Sequence, residues 1–254
     1  MNAPAPQFEA RLARDAAEMR AAQGLRYEVF VAELGGDGEL TDHAARLERD
    51  RFDAQCDHLL LFDHARGGAV VGAYRLMTGT AAAAGQGFYS AGEYDLGPLL
   101  ASGRHLLELG RSCLHRDYRG GAAMVPLWSA IADYVAAHHV EILFGVASFH
   151  GTDIARLAQP LSYLHHVHLA PEDLRVRALP AHFQRMDLVP AGRIDRKAAV
   201  LAMPALIKAY LRLGGFVGEG AFVDHAFNTT DVCLILDTTR MDPRHHARYA
   251  RPNA

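Results

Sequence analysis

Long apolar runs are missing from this chain. No stretch approaches the ~18 uninterrupted apolar residues of a spanning helix, and the first residues, MNAPAPQFEARLARDAAEMRAAQ, lack the basic-then-apolar layout of a signal peptide. Cysteine is scarce: Cys56, Cys113 and Cys233 are far apart and odd in number, which predicts a reducing compartment and no disulfide framework. A cytoplasmic protein is the expectation, with contact at the inner-membrane surface left open. Excess charge is lacking too. The net charge of −3 gives no global basicity that would point to nucleic acid. There is no Gly-Lys-Ser/Thr of a Walker loop and no G-x-G-x-x-G dinucleotide fingerprint. A Ser–His–Asp order that would suggest a hydrolase is absent, as are internal repeats and a linker between domains. The histidines of His165-His166-x-His168 and His245-His246 have no Cys or carboxylate at familiar ligand spacing, so no metal site is expected. What remains is 254 residues, 50% apolar and 22% charged. That is ordinary for a soluble globular protein and long enough for a sizeable core.

The stretch that organises the rest runs from His105 to Phe149. An apolar run ends in Cys113-Leu114-His115. A turn, Arg116-Asp117-Tyr118-Arg119-Gly120-Gly121, follows, then a helical pattern, then a second apolar run from Ile142 to Ala147. Met124, Val125, Trp128, Ile131, Ala132 and Val135 fall on one face at 3.6-residue spacing. Pro126 is tolerable only in the first turn, where its missing N–H costs nothing. The helix should therefore begin near Gly121 or Ala122. Its first N–H groups would face a loop carrying Arg116 and Arg119, a favourable place for a phosphate. Gly120 and Gly121 let the backbone approach the anion. The plain alternative is a βαβ crossover whose arginines are only solvated.

Elsewhere, Phe8–Arg14 reads as a short strand and Ala16–Phe30 as a helix. His58–Asp63 and Ala69–Met77 read as a strand hairpin, and Thr78–Pro98 as a loop. A helix is expected over Ile154–Gln159, an amphipathic helix after Pro204 that ends at Gly214-Gly215, and strands at Phe216-Val217 and Val232–Asp237. Charge is uneven. Glu28–Asp63 holds 10 acids against 3 bases, or −7, which suits a solvated face or attraction of a cationic amine. Leu174–Gly215 holds 8 bases against 2 acids, or +6. That surface could steer an acidic partner, rest on anionic lipid, or simply be solvated.

The loop resembles the pyrophosphate-binding loop of the GNAT acyltransferases, with R-x-x-R-G-G standing where they carry their arginine/glycine-rich signature. Four further blocks, Leu25-Arg-Tyr-Glu-Val-Phe30, Phe52-Asp53…Asp57-His58-Leu59, Val71-Gly-Ala-Tyr-Arg-Leu76 and Glu108-Leu-Gly-Arg111, are similar in order to the acyl-homoserine-lactone synthases. Several more resemble the L-ornithine Nα-acyltransferases that begin ornithine-lipid synthesis: Glu108-Leu-Gly-Arg-Ser-Cys113, Phe144–Asp153, Pro160-Leu-Ser-Tyr-Leu164, Leu211-Arg-Leu-Gly-Gly215, and Asp224…Phe227-Asn-Thr-Thr-Asp-Val232. The lactone synthases share N-terminal tryptophans, whereas the only tryptophan here is Trp128, and the chain continues past their usual end. Both departures favour the ornithine branch.

The resemblance implies aminolysis of an acyl thioester, which needs a base for the amine and a donor for the oxyanion. The oxyanion donor would be a backbone N–H near Cys113 or Leu114, and pantetheine phosphate would sit on Arg116, Arg119, Gly120, Gly121 and Ala122. Glu108 is the candidate base or amine ligand, because a carboxylate in an apolar strand is costly without a reason. Pairing it with Arg111 would require a bulge; a structural Glu–Arg pair is the rival reading. Arg75 could hold the amino acid's carboxylate, or could be a strand-edge arginine in solvent. Tyr163 could protonate the departing thiolate, or be a core tyrosine. Ser148 and His150 follow the strand where substrate contacts are expected.

These readings predict a single α/β (α+β) domain of GNAT type over residues 8–241. It should have a mixed, mostly antiparallel sheet with a splayed parallel pair, helices on both faces, a basic helical insertion at about 171–215, and flexible tails at 1–7 and 242–254. The expected reaction moves a (3-hydroxy)acyl chain from acyl carrier protein to the α-amine of L-ornithine, giving lyso-ornithine lipid, with no cofactor beyond the carrier's 4′-phosphopantetheine thioester. Autoinducer synthesis of the homoserine-lactone type, another amino acid as acceptor, and a non-enzymatic acyl-carrier or lipid-binding module are the alternatives.

Overall fold

The computed structural model describes residues 5–120 and 122–240. Gly121, residues 1–4 of the first expected tail, and Met241 onward, which includes His245, His246 and the tail 242–254, lie outside the described residues.

β1 (Phe8–Leu12) leads into α1 (Ala16–Arg26), whose first turn is closed by Asp15 accepting from the Ala17 and Glu18 amides. The helix continues as a π-type segment, Tyr27–Glu33. β2 (Asp57–Asp63) and β3 (Ala69–Thr78) form the expected hairpin. The stretch expected to be loop holds α2 (Gly79–Ala84), β4 (Tyr94–Asp95) and α3 (Gly97–Ala101). The central unit follows as β5 (Leu106–Leu114), α4 (Met124–Ala137) and β6 (Ile142–His150). After it come α5 (Ile154–His168), β7 (Arg177–Ala178), β8 (Phe183–Gln184), α6 (Arg196–Ala202), α7 (Ala205–Arg212), β9 (Phe216–Val217), β10 (Ala221–Asp224) and β11 (Thr229–Asp237). The main sheet runs β1-β2-β3-β5-β6-β11-β10-β8, and β9 also pairs with β11. Every pairing in it is antiparallel except β5 with β6.

Period-two alternation places the helices on both faces. Leu59 and Leu61 of β2 pack in one core with Leu127, Trp128 and Ile131 of α4. Leu60 and Phe62, pointing the other way, pack with Ala22 and Leu25 of α1. Three details depart from the sequence reading. In α4, Leu127 and Tyr134 belong to the buried face, while Val125 is 66% exposed. That helix begins at Met124, two to three residues later than expected, with Pro126 still in its first turn. And α5 runs on through Pro160 to His168, carried by the burial of Pro160, Leu161, Tyr163 and Leu164, which outweighs the lost N–H.

What positions the site is a division of the sheet. β5 and β6 pair over only three positions, Leu106↔Ile142, Leu107↔Leu143 and Glu108↔Phe144. Beyond them β5 stays with β3, while β6 pairs with β11 along its whole length, nine consecutive pairs. Two local features mark the parting. The β3–β5 register shifts between Ala73 and Arg75, opposite a bulge where Arg111 takes a left-handed backbone, φ 48°. On β6, Gly145 passes so close to the Leu109 carbonyl that a Cβ would collide with its oxygen.

Candidate active site

The parted strands enclose a cleft of about 310 Å³. Leu109–Leu114 line one side and Phe144–Ser148 the other. Val29 and Phe30 of the π-type segment, Leu34 just past its end, and Leu206 and Tyr210 of α7 add apolar wall.

Glu108 lines this cleft at the last paired position. It is 3% exposed, and its two oxygens accept from backbone amides, Oε2 from Tyr89 at 2.8 Å and Oε1 from Ser90 at 2.6 Å. Burial raises its pKa above the ordinary carboxylate value, against the pull of those hydrogen bonds and of Arg75. The expected pairing with Arg111 does not form, although the bulge it would require does. Arg111 instead bonds Glu48 at 3.2 Å and Asp50 at 2.9 Å, and lies over the Tyr89 ring at 4.7 Å from its centroid. It still lines the cleft.

Arg75 is not an arm reaching for substrate. It is 3% exposed and bonds Asp50 at 2.5 Å and Asp53 at 3.1 Å. Arg26, 1% exposed, bonds Glu48 and Asp53. Three arginines and three acids thus form one network beneath the cleft. The acidic run read as a solvated face or an attractor of amines sends Glu48, Asp50 and Asp53 inward here, because their partners arrive from α1, β3 and β5. Burial would raise the Asp50 carboxyl, but Arg75 and Arg111 outweigh it and hold it at about 2.

Ser148 lines the cleft; His150, two residues on, is exposed and does not. Tyr163 does not line it either. It sits buried on α5 with its ring 5.5 Å from that of His168, so the residue expected to protonate the thiolate is a core tyrosine outside the cleft lining. Tyr74, Tyr89 and Tyr210 line the cleft in its place. Burial pushes Tyr74 and Tyr89 up to about 12, so both stay protonated at neutral pH.

Cys113 is buried against the α1 core, and burial pushes its thiol up to about 12, which leaves it a packing residue rather than a nucleophile. The His115 amide donates to Val71 of β3 at 2.9 Å. Successive strand amides point to opposite edges, so that of Leu114 faces the gap. Leu114 and Arg119 line the cleft, which places the arginine/glycine loop at its mouth. Arg119 is tied to Glu33, with Nη2 2.9 Å from Oε2. Arg116, Gly120 and Ala122 are exposed, with Gly120 at φ 72°.

The structure also brings together residues that the sequence reading did not. Glu93, Asp224 and Asp231 each place a carboxylate oxygen within 4.8 Å of the others. Asp224 and Asp231 line the cleft, and Asp231 pairs across the sheet with Ser148. Burial, reinforced by the neighbouring acids, holds Glu93 well above its usual value. Burial also raises Asp231, to about 6. The signal was present in the sequence: Asp231 stands in an apolar strand as Glu108 does, and the same rule applies to it. Among the described residues His165, His166 and His168 join no such cluster; His166 pairs with Asp187 at 3.0 Å.

The comparisons agree with this architecture. An acetyltransferase (GNAT) domain family matches residues 25–129. The L-ornithine N(alpha)-acyltransferase of Rhodobacter capsulatus is 63% identical over 248 residues, which cover 96% of this chain and 95% of that protein. Among solved structures, an N-acyl amino acid synthase from uncultured soil microbes superposes with a TM-score of 0.55 at 13% identity, covering 93% of each chain. A CoA-dependent acyl-homoserine lactone synthase superposes with a TM-score of 0.53 at 16% identity, covering 98% of this chain and 92% of that one. These two likenesses concern the fold.

Proposed function

The chain belongs to the L-ornithine Nα-acyltransferase family, and from that premise we propose that it moves a (3-hydroxy)acyl chain from acyl carrier protein to the α-amine of L-ornithine, giving lyso-ornithine lipid. The observation that carries the reading is the cleft between β5 and β6, with Glu108 at the point where the strands part and an unpaired strand edge beyond it.

The thioester carbonyl sits between the strands, its oxygen toward the Leu114 amide. Glu108, with its raised pKa, takes a proton from the α-ammonium directly or through one water. The freed amine forms the C–N bond, the tetrahedral oxyanion is held by backbone N–H, and the C–S bond breaks. The sulfur departs with the second proton that the attacking nitrogen gives up, so an amide and a free pantetheine thiol are the products. No resident cofactor takes part. Pantetheine phosphate rests at the cleft mouth on Arg116, Gly120 and Ala122, with Arg119 fixed beside it by Glu33. The apolar wall from the π-type segment and α7 receives the acyl chain.

The basic segment supports a carrier protein as donor. Arg193, Arg196 and Lys197 are exposed, and α7 of the same segment reaches the cleft through Leu206 and Tyr210. An acidic carrier would be steered there. The same surface, with Leu201 78% exposed beside it, suits contact with anionic lipid at the inner face of a membrane. Among the described residues no helix is long and apolar enough to cross one.

The test is turnover of the purified chain with 3-hydroxyacyl-carrier thioester, followed by mass spectrometry. N-acylornithine is expected with ornithine and no product with S-adenosylmethionine. Binding of the thioester without transfer to ornithine overturns the reading in favour of a carrier-binding module.

A further inference from the structure

Three carboxylates share one small volume at the acceptor side of the cleft. Glu93 is 5% exposed and Asp231 4%. Neither Glu93, Asp224 nor Asp231 is in an ion pair with a described arginine, lysine or histidine. The contrast with the other buried acids is informative. Glu48, Asp50, Asp53 and Asp237 each bond an arginine, Asp63 accepts from Tyr118 and two backbone amides, and Glu108 accepts from two amides. Within the cluster Asp224 is likewise met, by the Ala226 and Phe227 amides, whereas the buried pair Glu93 and Asp231 is left without an ion pair among the described residues. More specifically, Glu93 Oε2 and Asp231 Oδ1 are buried with no hydrogen-bond partner among the described residues. An unpaired buried carboxylate oxygen is costly, so these two atoms point to a ligand that donates.

The ligand's chemistry follows from what the cluster offers. It has several acceptors and negative charge, close enough together to converge on one small cation. An ammonium has three donors and no acceptor, which matches three converging carboxylates. The cluster is continuous with the cleft through Asp224 and Asp231, and on β11 Asp231 stands level with Ser148 of the parted strand. An acceptor whose α-amine is at the thioester would extend its side chain toward it.

We propose that Glu93, Asp224 and Asp231 bind the side-chain ammonium of the acceptor, and so restrict the enzyme to amino acids that carry a second, terminal amine. This rests on the acyl-transfer reading above and assigns its selectivity to two buried carboxylate oxygens without a hydrogen-bond partner among the described residues. In this role the cluster does no chemistry. The α-amine is deprotonated at Glu108, while the terminal amine keeps its proton and is held away from the thioester.

The experiment compares ornithine with norvaline, which has the same carbon skeleton and lacks the terminal amine. Both are offered to the full-length wild-type chain and to its Asp231→Asn and Glu93→Gln variants, with one acyl thioester donor. For the wild type, kcat/KM for ornithine should exceed that for norvaline by on the order of 100-fold or more, the cost of leaving buried charged acceptors unfilled. In the variants the ornithine value should fall by a comparable factor, while the norvaline value changes less than about threefold, so that the ratio collapses. Several results overturn the inference alone: a wild type that accepts both equally, which needs no variant; variants that keep the wild-type ratio; or equal loss for both substrates, which would make Asp231 part of the chemistry. Activity that is abolished by a chelator and restored by a divalent cation would assign the cluster to a metal and overturn it too. A wild type that acylates no amino acid removes the acyl-transfer reading and this one with it.

Discussion

Glu108 is held by two amides rather than by an arginine, and that decides how it responds to change. Glu108→Gln presents an NH₂ to one of two backbone N–H groups, donor against donor, and also removes the base. We expect kcat to fall by roughly 10²–10⁴-fold, the usual worth of a positioned proton acceptor. In the wild type, the acid limb of the kcat/KM profile should lie above the ordinary carboxylate range, because burial raises the Glu108 pKa, and it should vanish in the variant. Steady-state assays from pH 4 to 9 check both. Gly145 is the other decisive residue. An alanine there meets the Leu109 carbonyl oxygen. Relief requires the strands to move just where they separate, so Gly145→Ala should cost about 1–3 kcal/mol in urea unfolding and most of the turnover. Glu108 could be read from the sequence because a charge in an apolar strand asks for an explanation. Asp231 met the same criterion but stood next to the polar Thr229-Thr230, where a strand start looks more natural than a site. Gly145 carried no sequence signal, since only the neighbouring strand makes it obligatory.

At the scale of elements, the network of Arg26, Arg75 and Arg111 with Glu48, Asp50 and Asp53 ties α1, the acidic loop, β3 and β5 together. Removing one pole of such a network leaves a buried charge behind, so Arg26→Ala should destabilise the fold by about 3–5 kcal/mol in chemical denaturation. Breaking an exposed pair such as Arg46–Glu28 should leave the unfolding midpoint essentially where it was. The strand–loop–helix–strand core was legible because its periodicities, 2 and 3.6, are local. The network was not. A run of acids looks the same whether it meets water or three arginines drawn from elements up to sixty-three positions away. The alanine tract read as loop became α2, with Thr78 accepting from the Ala81 amide. The helix expected over Ile154–Gln159 runs on to His168, carried past Pro160 by tertiary burial.

At the scale of the whole molecule, stability should depend on pH from both sides. Asp50, held at about 2 by Arg75 and Arg111 against burial, contributes stability that is present above its unfolded value near 3.8 and is lost as pH falls toward 2. Asp231, raised by burial to about 6, acts in the opposite sense. Its contribution is complete below its unfolded value and is lost as pH rises through 6. It is faced by Glu93 and Asp224, which oppose its ionisation, and by Arg111 and Ser148, which favour it. Asp231→Asn should therefore raise Tm at pH 8 and change it little at pH 4. Calorimetry at the two pH values is the check, and a gain confined to the acid side contradicts the assignment. The basic face is also tested at this scale. Added salt should slow turnover with a carrier-protein donor far more than with a small thioester, because only the larger donor is steered by charge.

A sheet normally keeps its unbonded rims on the outside, where they are short or shielded. This one has a pair in its interior, facing each other across the space between Leu109 and Leu114 on one side and Gly145 and Ser148 on the other. Those rims ask for a guest that can donate and accept along its length, so a thioester arm bearing amides should dock there as if it were a missing strand. Shortening that arm until its amides are gone should weaken binding even when the acyl group is left untouched.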